Sequence, residues 1–129
     1  MILITGPEDN CVSLLEPKWA DVASAVHAMD GLTNTSITLG EPQEGIPVAM
    51  PYMAIGGGAG EYFVYVTFDD TRFYILINSE AAQGIGKLVV GGQMGEFPLR
   101  EIVDEVTVMK AVQTFFESGA LNSDLKWEG

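Results

Sequence analysis

The stretch Glu61-Tyr62-Phe63-Val64-Tyr65-Val66-Thr67-Phe68-Asp69-Asp70-Thr71-Arg72-Phe73-Tyr74-Ile75-Leu76-Ile77-Asn78 decides the fold class. Two runs of β-branched and aromatic residues, Tyr62 to Phe68 and Arg72 to Asn78, flank an acidic turn, and such runs fit a pleated, half-buried surface. With Asp70-Thr71 as a two-residue turn, Asp69 faces Arg72, Phe68 faces Phe73, Thr67 faces Tyr74, Val66 faces Ile75 and Tyr65 faces Leu76. One face of the hairpin is then Tyr62, Val64, Val66, Phe68, Phe73, Ile75 and Ile77, the expected core face. The other carries Phe63, Tyr65, Thr67, Asp69, Arg72, Tyr74, Leu76 and Asn78, a mixture of aromatic and polar groups of the kind enriched at protein interfaces.

Working outward, Lys87 to Val90 reads as a strand closed by Gly91-Gly92, and a last short strand precedes Asp104. A helix follows. Asp104 is its N-cap, Glu105 suits the positive end of the dipole, Val108, Met109, Val112, Phe115 and Phe116 form one apolar face, and Gly119 ends it. The tail from Leu121 is expected to add an edge strand or a packed extension. Toward the N-terminus, Tyr52 to Ile55 predicts a strand broken by Gly56-Gly57-Gly58-Ala59-Gly60. Glu41 to Pro51, with three prolines and a glycine, predicts a loop after the β-branched run Thr35 to Leu39.

Trp19, Val22, Ala23, Val26 and Met29 recur at helical spacing, so Lys18 to Asp30 predicts a first helix, with Gly31 as its cap. Ile2 to Thr5 predicts a short strand stopped by Gly6-Pro7, and Glu8 to Glu16 a helical turn. The expected architecture is α+β: a mostly antiparallel sheet with helices packed on one face and the other face left for water or a partner.

Composition sets the class. At 129 residues, 47% hydrophobic and 19% charged, the chain is the size of one domain, spanning 1–129, and has enough apolar material to fold without staples. Its 18 acidic and 6 basic residues give a net charge of −12, which repels nucleic acid phosphates and anionic membranes and favours a basic partner. The bias is concentrated, with ten carboxylates and only Lys18 before Thr71. Cys11 is the only cysteine, so no intrachain disulfide forms, and it is expected to be a small buried side chain. The N-terminus has no basic region and only four apolar residues before a turn, so a cytoplasmic location is expected, with no signal peptide or membrane span.

Catalytic and metal chemistry lack their usual residues. His27 is the one histidine, placed mid-helix and read as solvent-facing or hydrogen-bonded, so metal sites and serine or cysteine triads have little to build on. The Gly56 to Gly60 segment lacks the Lys-Ser/Thr pair of a phosphate loop, and Glu61 stands where a third glycine of a dinucleotide fingerprint belongs. Gly84-Ile85-Gly86-Lys87 likewise runs into a strand. The carboxylate pairs Asp69-Asp70 and Asp104-Glu105 sit at a turn and a helix start, where local structure accounts for them. No cofactor and no enzymatic activity are expected.

From about Tyr52 onward the order of features resembles the first-numbered immunity protein family of bacterial polymorphic toxin systems. The stretch includes the paired strands of Glu61 to Asn78, Leu88-Val89-Val90-Gly91-Gly92-Gln93, then Glu96-Phe97-Pro98, the helix Val108 to Gly119 and the tail Leu125-Lys126-Trp127-Glu128. The Ala111-Val112-x-x-Phe115-Phe116 helix, its glycine stop and the final Trp127-Glu128 are the most specific part, similar to the C-terminus of immunity proteins paired with DNA cytosine deaminase toxins. The resemblance implies inhibition without chemistry: binding a cognate toxin domain and excluding its nucleic acid substrate. A toxin that acts on nucleic acid carries a basic cleft, and the charge here has the complementary sign. Tyr65, Asp69, Asp70, Tyr74 and Glu96 are the expected toxin-binding residues. An acidic adaptor for another basic protein is the alternative, and an enzyme using a carboxylate pair the third reading.

Overall fold

The computed structural model describes residues 1–6 and 11–129, with Pro47 described in its backbone only. Nine strands are formed among these residues: β1 (Ile2–Thr5), β2 (Val12–Leu15), β3 (Ser36–Gln43), β4 (Ile46–Gly58), β5 (Glu61–Thr67), β6 (Phe73–Ile77), β7 (Ile85–Val90), β8 (Gln93–Pro98) and β9 (Lys126–Glu128). Helix α1 (Trp19–His27) lies between β2 and β3, and α2 (Glu105–Ser118) between β8 and β9. Seven strands build one antiparallel sheet in the order β2-β1-β3-β4-β5-β6-β9, while β7 and β8 pair as a separate ribbon. The architecture is the expected α+β, mostly antiparallel. No helix among the described residues is long and apolar enough to cross a membrane.

Alternation sorts the sheet into two faces. Leu3, Leu39, Met53, Ile55, Val64, Val66 and Leu76 point to one side, where they pack with Val22 and Val26 of α1 and Val108, Ala111, Val112 and Phe115 of α2. Local chemistry sets both ends of α2. The Asp104 carboxylate accepts from the Thr107 backbone N–H at 2.8 Å to start α2, and Gly119 takes φ 71° to stop it. Trp19 of α1 meets Phe116 of α2 with ring centroids 5.9 Å apart. The tail does form an edge strand: Trp127 pairs with Leu76, and its indole N–H donates to the Asn122 carbonyl at 3.1 Å.

Several expectations are corrected. The β5–β6 register is Tyr65 to Ile75, Val66 to Tyr74 and Thr67 to Phe73, one residue away from the two-residue hairpin. The longer turn prevails because side chains satisfy its backbone. The Thr67 hydroxyl donates to the Arg72 carbonyl and accepts from the Asp70 N–H, both at 2.9 Å, and the Asp69 carboxylate accepts from the N–H groups of Thr71 (3.0 Å) and Arg72 (2.9 Å). A slip of one residue turns every β6 side chain over. Leu76 is therefore fully buried in the core, while Phe73 on the opposite face is 40% exposed.

The Glu41 to Pro51 segment is not a loop but the far end of the β3–β4 hairpin, turning at Glu44-Gly45. Its pairing shifts register on both sides of Glu41, and such bulges accommodate the prolines. The strand also runs on through Gly56 to Gly58. A Cβ on Gly56 would lie 2.5 Å from Val90 Cγ1, and one on Gly58 2.5 Å from the Gly31 backbone nitrogen, so glycine here permits close approach. The break falls at Ala59-Gly60, a two-residue turn between Gly58 and Glu61. Helix α1 ends at His27, before Gly31. The expected helical turn over Glu8 to Glu16 lies partly outside the described residues, and its described part contains strand β2. Pro7 of the Gly6-Pro7 turn is likewise outside them. Cys11, just before this edge strand, is exposed rather than buried.

Candidate functional site

The sheet face opposite the helices is partly roofed. The β7–β8 ribbon lies over it with Val90 above Gly56, and Phe97 meets Phe63 at a centroid distance of 4.9 Å. Val48 covers Gly40, where a Cβ would lie 2.4 Å from Val48 Cγ2. Between these covers runs an open trough. Pairing places Ala54 beside Tyr65 and Tyr65 beside Ile75 on its floor, with Tyr52, Thr67 and Phe73 in the next row toward the β5–β6 turn.

The aromatic rings of this face form a connected set. Tyr65 is 6.3 Å from Tyr52, 6.1 Å from Phe63 and 5.4 Å from Phe73, with edge-on geometry to Tyr52 and Phe73. The Tyr52 hydroxyl points at Asp70 Oδ1, 3.5 Å away. Burial, reinforced by Tyr65 and Asp70 beside it, pushes the Tyr52 hydroxyl up to about 12, so it stays a neutral donor. Asp70 sits at φ 63° on the exposed turn, and neither Asp69 nor Asp70 has an ion-pair partner among the described residues.

The two turn carboxylates are therefore not equivalent. Asp69 is held below the usual carboxylate range by the Arg72 and Thr71 N–H groups it accepts from, which is the work of a turn builder. Among the described residues the Asp70 carboxylate has only the long contact with Tyr52. Of the five residues expected from sequence, the structure brings together Tyr65, Asp69 and Asp70. Tyr74 shares the helix-side face with Val66 because of the register slip, and meets Phe68 at 6.0 Å and the Arg72 guanidinium at 5.4 Å. Glu96 pairs with Lys87 on the solvent side of the ribbon, next to Phe97, which faces the sheet. Tyr52 and Phe73 also stand on this face, although neither is among the five expected residues. Phe73 was assigned to the core by the shorter turn, and Tyr52 joins the cluster only through the β4–β5 pairing, which single-strand patterning does not reveal.

Other features offer less chemistry. A groove of about 350 Å³ beside Asn78, Leu99, Arg100 and Lys126 holds Ser79 but no histidine, cysteine or carboxylate among its lining residues. His27 Nδ1 lies 2.6 Å from Glu105 Oε1, joining the end of α1 to the start of α2 on the surface. Among the described residues no group of three or more His, Cys, Asp or Glu is placed to hold a metal ion.

Fold and site together define an acidic α+β protein with one sheet face covered by helices and the other bearing an aromatic, acid-rimmed trough. Residues 12–129 match the family described as Immunity protein Imm1, and the chain belongs to that family. Membership carries the family's role, immunity against a cognate toxin. No curated protein matches the chain.

Proposed function

We propose that this chain binds a basic, nucleic-acid-acting toxin domain in the cytoplasm and inhibits it by covering its active site, without doing chemistry itself. The toxin class that best fits the C-terminal resemblance is a DNA cytosine deaminase. The observation that carries this reading is the match to the immunity family across residues 12–129. The net charge of −12 supports it, since a cleft that binds phosphates presents the opposite sign.

The contact surface in this reading is the trough and its rim, with Tyr65, Asp69 and Asp70 as toxin-binding residues and Tyr52 and Phe73 added to them, while Tyr74 on the helix-side face and Glu96 on the outer side of the ribbon lie off it. Exposed rings supply contact area at small entropic cost, and unneutralised carboxylates steer a basic partner.

The test is titration of the purified chain into the toxin domain encoded immediately upstream, following the toxin's action on its nucleic acid and its retention of that nucleic acid in a mobility-shift assay. Both are expected to fall to zero at stoichiometric chain. Undiminished nucleic acid binding in a formed complex would refute occlusion, and unprotected cells on co-expression would refute the immunity pairing with that toxin.

A further inference from the structure

The β5–β6 turn treats its charges unevenly. Arg72 is the nearest cation in sequence to Asp69 and Asp70, yet its guanidinium lies over the Tyr74 ring at 5.4 Å, on the helix-side face of the strand. Asp69 accepts from the turn's backbone through Oδ1, from both the Thr71 and the Arg72 N–H. Asp70 is left with no cation among the described residues, beside a tyrosine hydroxyl and at the mouth of the trough. Tyr52 stands beside that carboxylate, and Tyr65 carries the ring set onward, 6.3 Å from Tyr52 and 5.4 Å from Phe73. Phe73 keeps 40% of its surface exposed.

A carboxylate beside open aromatic rings fits a particular cation. Guanidinium is planar, weakly hydrated and able to stack on a ring while donating in its own plane to a carboxylate, whereas an ammonium is a compact, strongly hydrated point charge. We infer that the trough seats an arginine side chain of the partner toxin, stacked among Tyr52, Tyr65 and Phe73 and paired with the Asp70 carboxylate. The inference rests on the toxin-binding reading above and names the group that the face recognises. The chain already makes half of this contact internally, with Arg72 on Tyr74, and the trough offers a ring set with a carboxylate added. Tyr52 orients that carboxylate as a neutral donor, leaving its second oxygen for the incoming N–H groups.

The experiment measures the dissociation constant of the full chain with the catalytically inactivated toxin domain encoded immediately upstream, for Asp70→Asn, Tyr65→Leu and Tyr65→Phe. Asparagine tolerates the left-handed backbone of position 70, and leucine keeps bulk while removing the ring, so circular dichroism melts should match those of the parent chain. Asp70→Asn and Tyr65→Leu are each expected to weaken binding about tenfold or more, and Tyr65→Phe by only about threefold or less, because the stacking face remains. An Arg→Lys scan of the toxin surface should find one arginine whose replacement costs a similar factor and adds little to either loss. If the parent complex forms but both Asp70→Asn and Tyr65→Leu stay within about threefold of it, or no toxin arginine couples to them, the arginine seat is wrong while toxin binding stands. If the parent chain forms no complex at all, the toxin-binding reading falls and the seat with it.

Discussion

On one side of β5, Val64 and Val66 are fully buried among α2 side chains, while on the other side of the same strand Phe63 and Tyr65 remain half-buried in a chain of ring contacts. The helix side is finished: aliphatic, closed by Phe115 and Val112, and capped at both ends of α2. The trough side is unfinished, roofed at one end by Val90 and Phe97 and open at the other toward the carboxylates of the turn. The difference separates stability from recognition along a single strand. Substitutions on the helix side or under the roof should act on folding, and those in the uncovered part of the trough on binding.

The largest effect is expected at Phe115, which has no exposed surface. Phe115→Ala should lose about 3–5 kcal/mol of unfolding free energy, from lost transfer and the cavity left behind. Denaturant melts check it. A loss under about 1 kcal/mol would mean that α2 does not close the core.

Next is Gly56, the point where the roof touches the trough. A Cβ there would stand 2.5 and 2.6 Å from the two Val90 methyls, so Gly56→Ala forces the ribbon away at a cost of about 1–3 kcal/mol. Val90→Ala in the same chain should return part of that loss. If the double variant is no more stable than Gly56→Ala alone, the ribbon is not seated on Gly56.

A smaller effect belongs to the α2 cap. Asp104→Ala should cost about 1 kcal/mol at neutral pH. The Thr107 hydroxyl and N–H hold the Asp104 carboxyl below its ordinary 3.8. A depressed folded-state pKa means that the cap's contribution is present above 3.8 and disappears as pH falls through the lower folded value. The gap between parent and variant should therefore close below about pH 4. A gap that stayed constant to pH 2 would show that the carboxylate is not the capping group.

What the sequence made legible follows the same division. Helix α2, its Asp104 cap and Gly119 stop, and the alternation of β5 are local patterns, and each appears where the residues put it. The β5–β6 register was not legible. Asp70-Thr71 satisfies a two-residue turn on composition alone, and the longer turn wins through Thr67 and Asp69 side-chain bonds that only the folded geometry supplies. That one slip moved Tyr74 off the expected face and put Phe73 onto it. The Gly56 to Gly58 run misled for a related reason, because glycines that admit a crossing element look like glycines that end a strand. Tyr65, Asp69 and Asp70 lie together at one end of the trough face because they are on or beside β5, whose alternation is a local pattern.

The smallest effect on folding is expected on the face where binding is proposed. Phe73 stands at the trough mouth, 40% exposed, with its ring 5.4 Å from Tyr65 and its strand neighbours Thr67 and Ile75 on the same face. Truncating it removes one edge-on ring contact and only part of a buried side chain. Phe73→Ala should therefore cost about 1 kcal/mol or less in stability, well under the loss at Phe115. The same change removes one wall of the trough, so the complex with the upstream-encoded toxin domain should dissociate faster while associating at nearly the parent rate, since no charge has been altered. Asp70→Asn should show the opposite split, with slower association and a flatter salt dependence alongside any loss at the seat. Stopped-flow association at several ionic strengths, paired with displacement kinetics, separates the two. If Phe73→Ala destabilised the fold as much as Phe115→Ala, the trough side would be core, and the contrast between the faces would be lost; if it left both rate constants unchanged, the ring would lie outside the contact.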